Sequence, residues 1–486
     1  MAANKPVADK TADLIQERAA GTQIPEVFGS SDDLEQTGYE SLLPSYSKAI
    51  PPTEPPTIKI GGPQCKHPYN ASVYNCSALS FGPMSKNFIL ALNQAAYQCG
   101  FYQNTGEAGI SPYHFGVDVD IEDENFNVDD FFRQLSEQDR EAPLPAGDVV
   151  WQIGTGYFSC RNEDGSFDPV SFALKARISN VKMIELKLSQ GVEPRKEMPV
   201  KQLTPGIAKV MGIHHDKEAK LQSQHSHFST PIELMHFIRE LRELSGGKPV
   251  GLKLGLTHRY WFLALCKAMR QTGIMPDFIT VDGMEAGTAA ASKSASGYTG
   301  TPLNEAIVFV HNALVGTDLR EHIRVIASGR VFTERDVIAK LARGADLCAT
   351  ARAMLLAAGC DQQLECYLGN CRKGIATQDP VLMANFNTQE NTERMINFHR
   401  ITVQELNELL AIAGLEHPSE LGPGYVQRRI SPFESKSLDE LYEFILPGAL
   451  LSPFPWMIPN AFRHHWHLAH ADAPFSSHPK DLSLRR

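Results

Sequence analysis

Residues 324–350 read RVIASGRVFTERDVIAKLARGADLCAT, and this stretch decides the fold class. Arg324–Ser328 is a short apolar run of the kind a strand covered on both faces must have. Thr333 and Asp336 then open a helix, Val337, Ile338 and Leu341 share one face, and Gly344 stops it. A second apolar run, Ala345–Thr350, follows at once. Strand, helix, strand with short connections predicts two parallel strands joined by a right-handed crossover.

The same unit recurs upstream. Further strand candidates are Asn75–Gly82, Gly100–Gly106, Asp148–Gly154, Val181–Gln190, Pro249–Gly255 and Asp277–Gly283. Between them, Thr230-Pro231-Ile232-Glu233 is a capping box with proline at the first helical position. Leu234, Phe237, Ile238, Leu241 and Leu244 lie on one face of that helix, and Gly246-Gly247 ends it. Eight strands alternating with helices predict an α/β fold closed into a (β/α)8 TIM barrel. An open doubly wound sheet is the rival, but its glycine fingerprint is incomplete: Gly154-Thr155-Gly156-Tyr157-Phe158-Ser159 lacks the third glycine. Residues 1–60, proline-punctuated up to Pro55-Pro56, read as an N-terminal arm. Residues 61–420 read as the barrel with a cysteine loop at 360–378, and 421–486 as a helical C-terminal extension.

Composition narrows the function classes. A net charge of -10 repels nucleic-acid phosphates and anionic lipid. The N-terminus has no apolar signal core and no run is long enough to span a membrane, so a cytoplasmic setting is expected. Nine cysteines scattered over the chain do not read as a disulfide framework; thiols or metal-bound thiolates in a reducing compartment fit better.

Active sites in such barrels sit at the C-terminal strand ends, with phosphate after strands seven and eight. There the chain carries Ser328-Gly329-Arg330 and Ala351-Arg352, which read either as an anion cradle or as two ordinary turns. Lys253, inside the strand Gly251-Leu252-Lys253-Leu254-Gly255, needs a partner if buried. A reduced flavin ring or a structural ion pair would each serve. Lys187 poses the same question, with Glu185 as a neighbour that could share its network. Cys360, Cys366 and Cys371 form a C-x5-C-x4-C loop, read as ligands of a three-iron cluster or as three structural thiols. His225-Ser226-His227 reads as a solvated loop rather than a substrate contact, the alternative, and the tail histidines His464, His465, His467 and His470 lack the acidic or thiol partners of a metal site.

In this order the segments resemble the FMN-binding synthase domain of glutamate synthase, nearer to stand-alone bacterial members than to the multidomain enzyme. The resemblance spans residues 57–420 and rests on several stretches. They are Ser80-Phe81-Gly82 with Ser85, Asn104-Thr105-Gly106-Glu107, and Trp151-Gln152-Ile153-Gly154-Thr155-Gly156-Tyr157-Phe158. They continue through Lys187-Leu188-Ser189-Gln190-Gly191, Lys253-Leu254, Gly287-Thr288, Ala327-Ser328-Gly329 and Gly374-Ile375-Ala376-Thr377-Gln378. The resemblance implies that Ser80, Gln152, Lys253, Gly287 and Thr288 line FMN. It implies that Ser328, Gly329, Arg330, Ala351 and Arg352 hold the FMN phosphate, and that the three cysteines ligate a 3Fe-4S cluster. The family reaction passes a hydride to the imine of 2-oxoglutarate and ammonia. Glu107 and Lys187 are then the candidate catalytic groups, and Gln190, Arg195 and Lys196 the candidate substrate contacts.

The chain departs from the family in its substrate loop. Glu193 stands where a lysine is expected, followed by Arg195, Lys196 and Glu197 in place of a glycine-rich run. Ala286-Gly287-Thr288-Ala289 replaces a more glycine-rich turn, and Arg372 stands where proline follows the third cysteine. The residue after Met1 is alanine, so ammonia is expected from solution or a separate chain, and electrons from a ferredoxin or reductase. A homo-oligomer is compatible with this reading. An electron-relay protein that no longer makes glutamate and an enzyme with a cysteine nucleophile such as Cys371 are the alternatives.

Overall fold

The computed structural model describes residues 5–22, 30, 32–192, 203–214, 224–288, 290–292 and 294–476. Four short strands, β2 and β3 of them a hairpin, precede or begin the barrel: β1 (Glu40–Leu42), β2 (Thr57–Ile60), β3 (Tyr69–Ser72) and β4 (Tyr74–Cys76). Seven more complete the ring: β5 (Gln103–Asn104), β6 (Val149–Ile153), β7 (Val181–Lys187), β8 (Val250–Leu254), β9 (Phe278–Asp282), β10 (Arg324–Ser328) and β11 (Leu347–Thr350). From β4 to β11 every neighbouring pair is parallel, and β11 returns to β4 through Cys348↔Tyr74 and Thr350↔Cys76. The eight strand candidates fall on these eight strands, and the closed barrel rather than the open sheet is what forms.

Closure follows from the sequence pattern. Every residue of β6, β8, β9 and β11 is buried, because helices cover the outside and side chains fill the inside. The helix Pro231–Leu244 starts at the expected box: Thr230 Oγ1 accepts from Glu233 N at 3.2 Å and Glu233 Oε2 from Thr230 N at 3.2 Å. Its apolar face buries Leu234, Phe237, Ile238 and Leu241. In the helix Glu334–Leu341, Asp336 accepts from Phe332 N and Thr333 N, while Gly344 turns with φ +103.

The barrel's N-terminal end is plugged. β2 and β3 pair antiparallel, and Ile58, Ile60, Tyr69 and Ala71 join Tyr102, Val150, Met183, Phe278, Ile326 and Leu347 in one apolar cluster. Gly251 sits inside this layer because a Cβ there would lie 2.5 Å from the Phe278 ring. The hairpin straddles residue 60, so the arm and the barrel share it.

Earlier in the arm, the helix Asp9–Ala19 packs on the long helix Thr388–Ile412, with Arg18 Nη1 2.7 Å from Glu334 Oε2. The C-terminal extension is not only helical. β12 (Val426–Ser431) and β13 (Glu434–Ser437) form a hairpin, and β1 adds to it as a third antiparallel strand. These strands are largely polar, and the partner that makes β1 a strand lies some 380 residues away, so no local pattern announces β1.

Candidate active site

Side chains at alternate positions of a barrel strand point inward, so the inner face of β7 carries Met183, Glu185 and Lys187 in ascending order. Register sets their neighbours: Gln152 lies beside Glu185, Lys187 beside Lys253, Lys253 beside Thr280, and Asp282 beside Ser328. The upper half of the barrel is therefore polar although it is buried.

Glu185 organises the first polar layer. Its Oε1 accepts from Asn104 Nδ2 and Gln152 Nε2, each at 2.7 Å, and its Oε2 from Thr280 Oγ1 at 2.6 Å. A buried carboxylate is costly unless its lone pairs are filled, and here three strands fill them. A carboxylate only accepts, so the Gln152 amide must turn its NH2 toward Glu185 and its oxygen away.

The stretch 104–107 serves several partners at once. Asn104 Oδ1 accepts from Gly106 N at 3.0 Å, and Thr105 Oγ1 accepts from Gln152 N at 3.0 Å. Gly106 turns with φ +65 and lies so close to Ser80 that a Cβ would sit 2.1 Å from its Oγ. Glu107 then receives the Lys187 ammonium at 2.6 Å. The two expected catalytic groups are thus one ion pair, and Glu185 is not the partner of Lys187.

Lys253 is different. Its side chain is 6% exposed, its ammonium lies 3.9 Å from Asp282 Oδ1, and it makes no hydrogen bond among the described residues. Asp282 is engaged elsewhere, accepting from Gly191 N at 2.9 Å. Asp282 and Thr280 were absent from the expected site. The argument that singles out Lys253, a charge in an otherwise apolar strand, also finds Asp282 in Phe278-Ile279-Thr280-Val281-Asp282.

The remaining expected cofactor residues ring the same mouth. Ser328 Oγ lies 3.1 Å from Ser77 Oγ, Gly329 has φ +129 and Arg330 φ +46. Ala351 precedes the short helix Arg352–Ala357. A Cβ placed on Gly287 would stand 3.7 Å from Arg352 Nη2, so Arg352 reaches from β11 across to the turn after β9. Thr288 Oγ1 accepts from Ala290 N at 3.4 Å. Gln190 Nε2 donates to Val192 O at 2.8 Å, whereas Arg195 and Lys196 lie outside the described residues, as do Glu193 and Ala289.

Cys360, Cys366 and Cys371 are half-buried and form no disulfide. Burial, then the other two thiols, pushes Cys366 up to about 11, and Arg352 opposes the shift. Burial, then the Gln362 backbone and the nearby Cys371, also shifts Cys360, with a net rise. The three thiols and Arg352 therefore share one electrostatic neighbourhood. No group of three His, Cys, Asp or Glu among the described residues is arranged to hold a metal ion. Gln362 exchanges two hydrogen bonds with the Val7 backbone, tying this loop to the arm.

His225 is not solvated. It is 5% exposed, with Nδ1 3.1 Å from Tyr157 Oη and Nε2 2.8 Å from the Lys187 carbonyl. The carbonyl can only accept, so Nε2 carries the proton and Nδ1 accepts from the tyrosine. Burial lowers its pKa to about 4, which keeps the ring neutral. Beside it opens a cavity of about 310 Å³, walled by Phe228, Trp261, Phe262 and Leu265 and starting at Leu188 and Leu254. No helix of the described residues is long and apolar enough to cross a membrane.

Known proteins resemble this chain. The conserved region of glutamate synthase matches residues 57–416. The glutamate synthase large subunit-like protein YerD of Bacillus subtilis (strain 168) is 30% identical over 391 residues, covering 79% of this chain and 69% of YerD. The archaeal-type glutamate synthase [NADPH] of Thermotoga neapolitana is 28% identical over 343 residues, covering 70% of this chain and 59% of its own length. Among solved structures, a flavocytochrome b2 variant with sulfite bound is 12% identical at TM-score 0.46, covering 93% of this chain and 88% of its own. By the extent of the family match, the chain belongs to the glutamate synthase family and carries its conserved synthase region.

Proposed function

We propose that the chain is an FMN-dependent oxidoreductase that reduces the imine of a small 2-oxo acid and ammonia. The observation that carries this reading is Lys253, a buried ammonium at the C-terminal end of the barrel that makes no hydrogen bond among the described residues. Burying a lysine with only a distant carboxylate partner is costly, and an electron-rich ring placed against it would recover that cost. Bound there, FMN would supply hydride chemistry.

The chain's own residues would do the rest. Ser80, Gln152, Lys253, Gly287 and Thr288 would hold the ring, with Gln152 fixed in one orientation by Glu185. Ser328, Gly329, Arg330, Ala351 and Arg352 would hold the phosphate, by backbone N–H groups and two guanidinium charges. Reducing an imine to an amine also needs a proton at nitrogen. The Lys187 ammonium would give it, and Glu107, the more exposed of the pair at 24% against 7%, would replace it from solvent. Gln190, Arg195 and Lys196 are proposed to face the substrate.

Cys360, Cys366 and Cys371 are proposed to ligate a 3Fe-4S cluster. They are three soft donors on one loop, near enough to influence one another's charge. A ferredoxin or reductase would then supply electrons, and free ammonia the nitrogen. The nine cysteines suit a reducing, cytoplasmic setting.

The test is the absorption spectrum of anaerobically purified protein, with flavin and iron quantified, followed by turnover with 2-oxo acids and ammonia. Flavin bands, about three irons per chain and amine formation are expected. A colourless protein that does not take up FMN overturns the reading. Flavin without turnover favours the electron-relay alternative.

A further inference from the structure

The arm helix Asp9–Ala19 lies on the elements that follow the proposed phosphate residues. Arg330 stands in the turn after β10, and the next helix opens at Glu334, where Arg18 Nη1 docks at 2.7 Å. Arg352 opens the helix after β11, and one turn further on the Leu356 carbonyl accepts from Gln16 Nε2. Beyond that helix, Gln362 holds the Val7 backbone through both atoms of its amide, at 3.0 and 3.3 Å. One short segment of the arm thus meets the chain just past both phosphate turns and inside the cysteine loop.

The long helix Thr388–Ile412 fixes this arrangement from behind. Its Thr402 Oγ1 accepts from Arg18 Nη1 at 3.2 Å, and its Asn397 Nδ2 donates to Ala19 O at 3.3 Å. Arg394 on the same helix donates to Gln16 Oε1 and to Ala357 O, joining the arm to the helix after β11. Tyr74 Oη donates to Val331 O at 3.1 Å while its ring stacks on His399, so the turn after β10 leans on the long helix too.

Adhesion does not explain the charges. Buried Val7, Ile15 and Ala19 already hold the arm by apolar contact. Arg18 and Glu334 are only 4% and 8% exposed, and such a pair adds little stability over apolar groups of the same size. What it does add is a fixed register, because a helix displaced along its axis leaves both charges buried and unpaired. A phosphate gripped from two separate turns needs that kind of fixed spacing.

We propose that the arm helix is a clamp on the FMN phosphate site, with Arg18 as its positioning residue. Docked, it sets the turn bearing Arg330 and the helix bearing Arg352 at the spacing the phosphate requires. The proposal rests on the FMN reading above and assigns the arm a part in it. Coupling between two sites is reciprocal, so bound phosphate in turn tightens the arm.

The test compares FMN with riboflavin, the same ring system without the phosphate, by fluorescence titration of the full-length apoprotein. Arg18→Met should weaken FMN binding about tenfold and leave riboflavin binding unchanged. Arg18→Lys should restore FMN affinity, since the contact with Glu334 is a single Nη1–Oε2 pair that an ammonium can replace. Gln16→Leu leaves that ion pair intact and should lower FMN affinity by a smaller factor, again without touching riboflavin. It reports on the clamp even where Arg18→Met fails to fold. Amide hydrogen exchange over residues 9–19 should be slowed more by FMN than by riboflavin. Equal losses for both flavins, unchanged FMN affinity in both variants, or equal exchange with the two flavins overturns the clamp and leaves the FMN reading standing. A parent chain that binds neither flavin overturns the FMN reading and the clamp with it.

Discussion

The two ends of the barrel are built from the same strands and follow opposite rules. Toward the N-terminal end the inward side chains are Val150, Met183, Phe278 and Ile326, closed off by the β2–β3 hairpin. Two residues further along each of those strands they become Gln152, Glu185, Thr280 and Ser328. The pleat keeps both sets on one face, so the change from apolar to polar is chemical and not geometric. One end spends its interior on packing; the other holds charges in a buried space and leaves one of them, Lys253, poorly paired. The lesson is that stability and function are separated along the barrel axis, and substitutions can test that separation.

The largest effect should come from the plugged end. Phe278→Ala empties the apolar layer beneath the site and should cost about 3–5 kcal/mol of stability by denaturant unfolding. Flavin affinity of the protein that remains folded should not change. A matching loss of flavin affinity would show that the two ends are coupled. Next is Glu185→Leu, which leaves the Asn104, Gln152 and Thr280 donors facing an apolar group. Unpaired buried donors cost about 1–3 kcal/mol each, so stability and flavin retention should both fall. Unchanged unfolding with normal flavin content would remove Glu185 from the centre of the network.

The separation was only partly legible in the sequence. The strands could be read because burial on both faces leaves continuous apolar runs, and Arg324–Ser328 coincides with β10. Gly100–Gly106 shrank to the two residues of β5, since Gly100 is the left-handed cap of the preceding helix and Gly106 begins the next turn. Lys187 and Lys253 announced themselves as charges in apolar strands. What they meet did not, because Glu107 lies 80 residues from Lys187 and only the closed ring brings them together. Glu185 looked like the natural partner of Lys187 two residues away, yet both project into the barrel and are claimed by other strands. His225 read as solvated because its burial depends on Tyr157 and on the Lys187 carbonyl. Phe475 sits in a tail with no regular pattern, so its place in the lining of the cavity beside His225 had no signal at all.

Lys253→Met sharpens the comparison further, since it should act on function alone. Removing a buried ammonium that makes no hydrogen bond among the described residues should leave apoprotein stability unchanged or higher. FMN affinity should fall about tenfold, equivalent to about 1.4 kcal/mol, as measured by flavin fluorescence on dilution. Destabilised apoprotein with unaltered FMN affinity would make Lys253 a structural ion-pair partner of Asp282 instead.

The smallest effect is a pH dependence at the polar end. His225 has a pKa lowered to about 4 in the folded chain by burial, against about 6.5 when unfolded. Below pH 6.5 the unfolded chain therefore binds a proton that the folded chain refuses, and stability falls as pH drops toward 4. The contribution is fully present well above pH 6.5, and about 1.4 kcal/mol of it is lost by pH 5.5. Burial lowers His114, His311 and His399 in the same direction, so the whole protein should lose stability over this range. The share of His225 is isolated by comparing His225→Gln with the parent chain across pH 7.5 to 5. The amide can still donate to the Lys187 carbonyl but takes up no proton, so the acid limb should become shallower by the amount stated. Identical acid limbs would mean that the ring gains a compensating partner when protonated, and Glu107, whose charge already favours protonation of His225, is the group to examine. In that case acid would act on the Glu107–Lys187 ion pair before it acted on the fold, and the polar end would respond to pH while the apolar end set the stability.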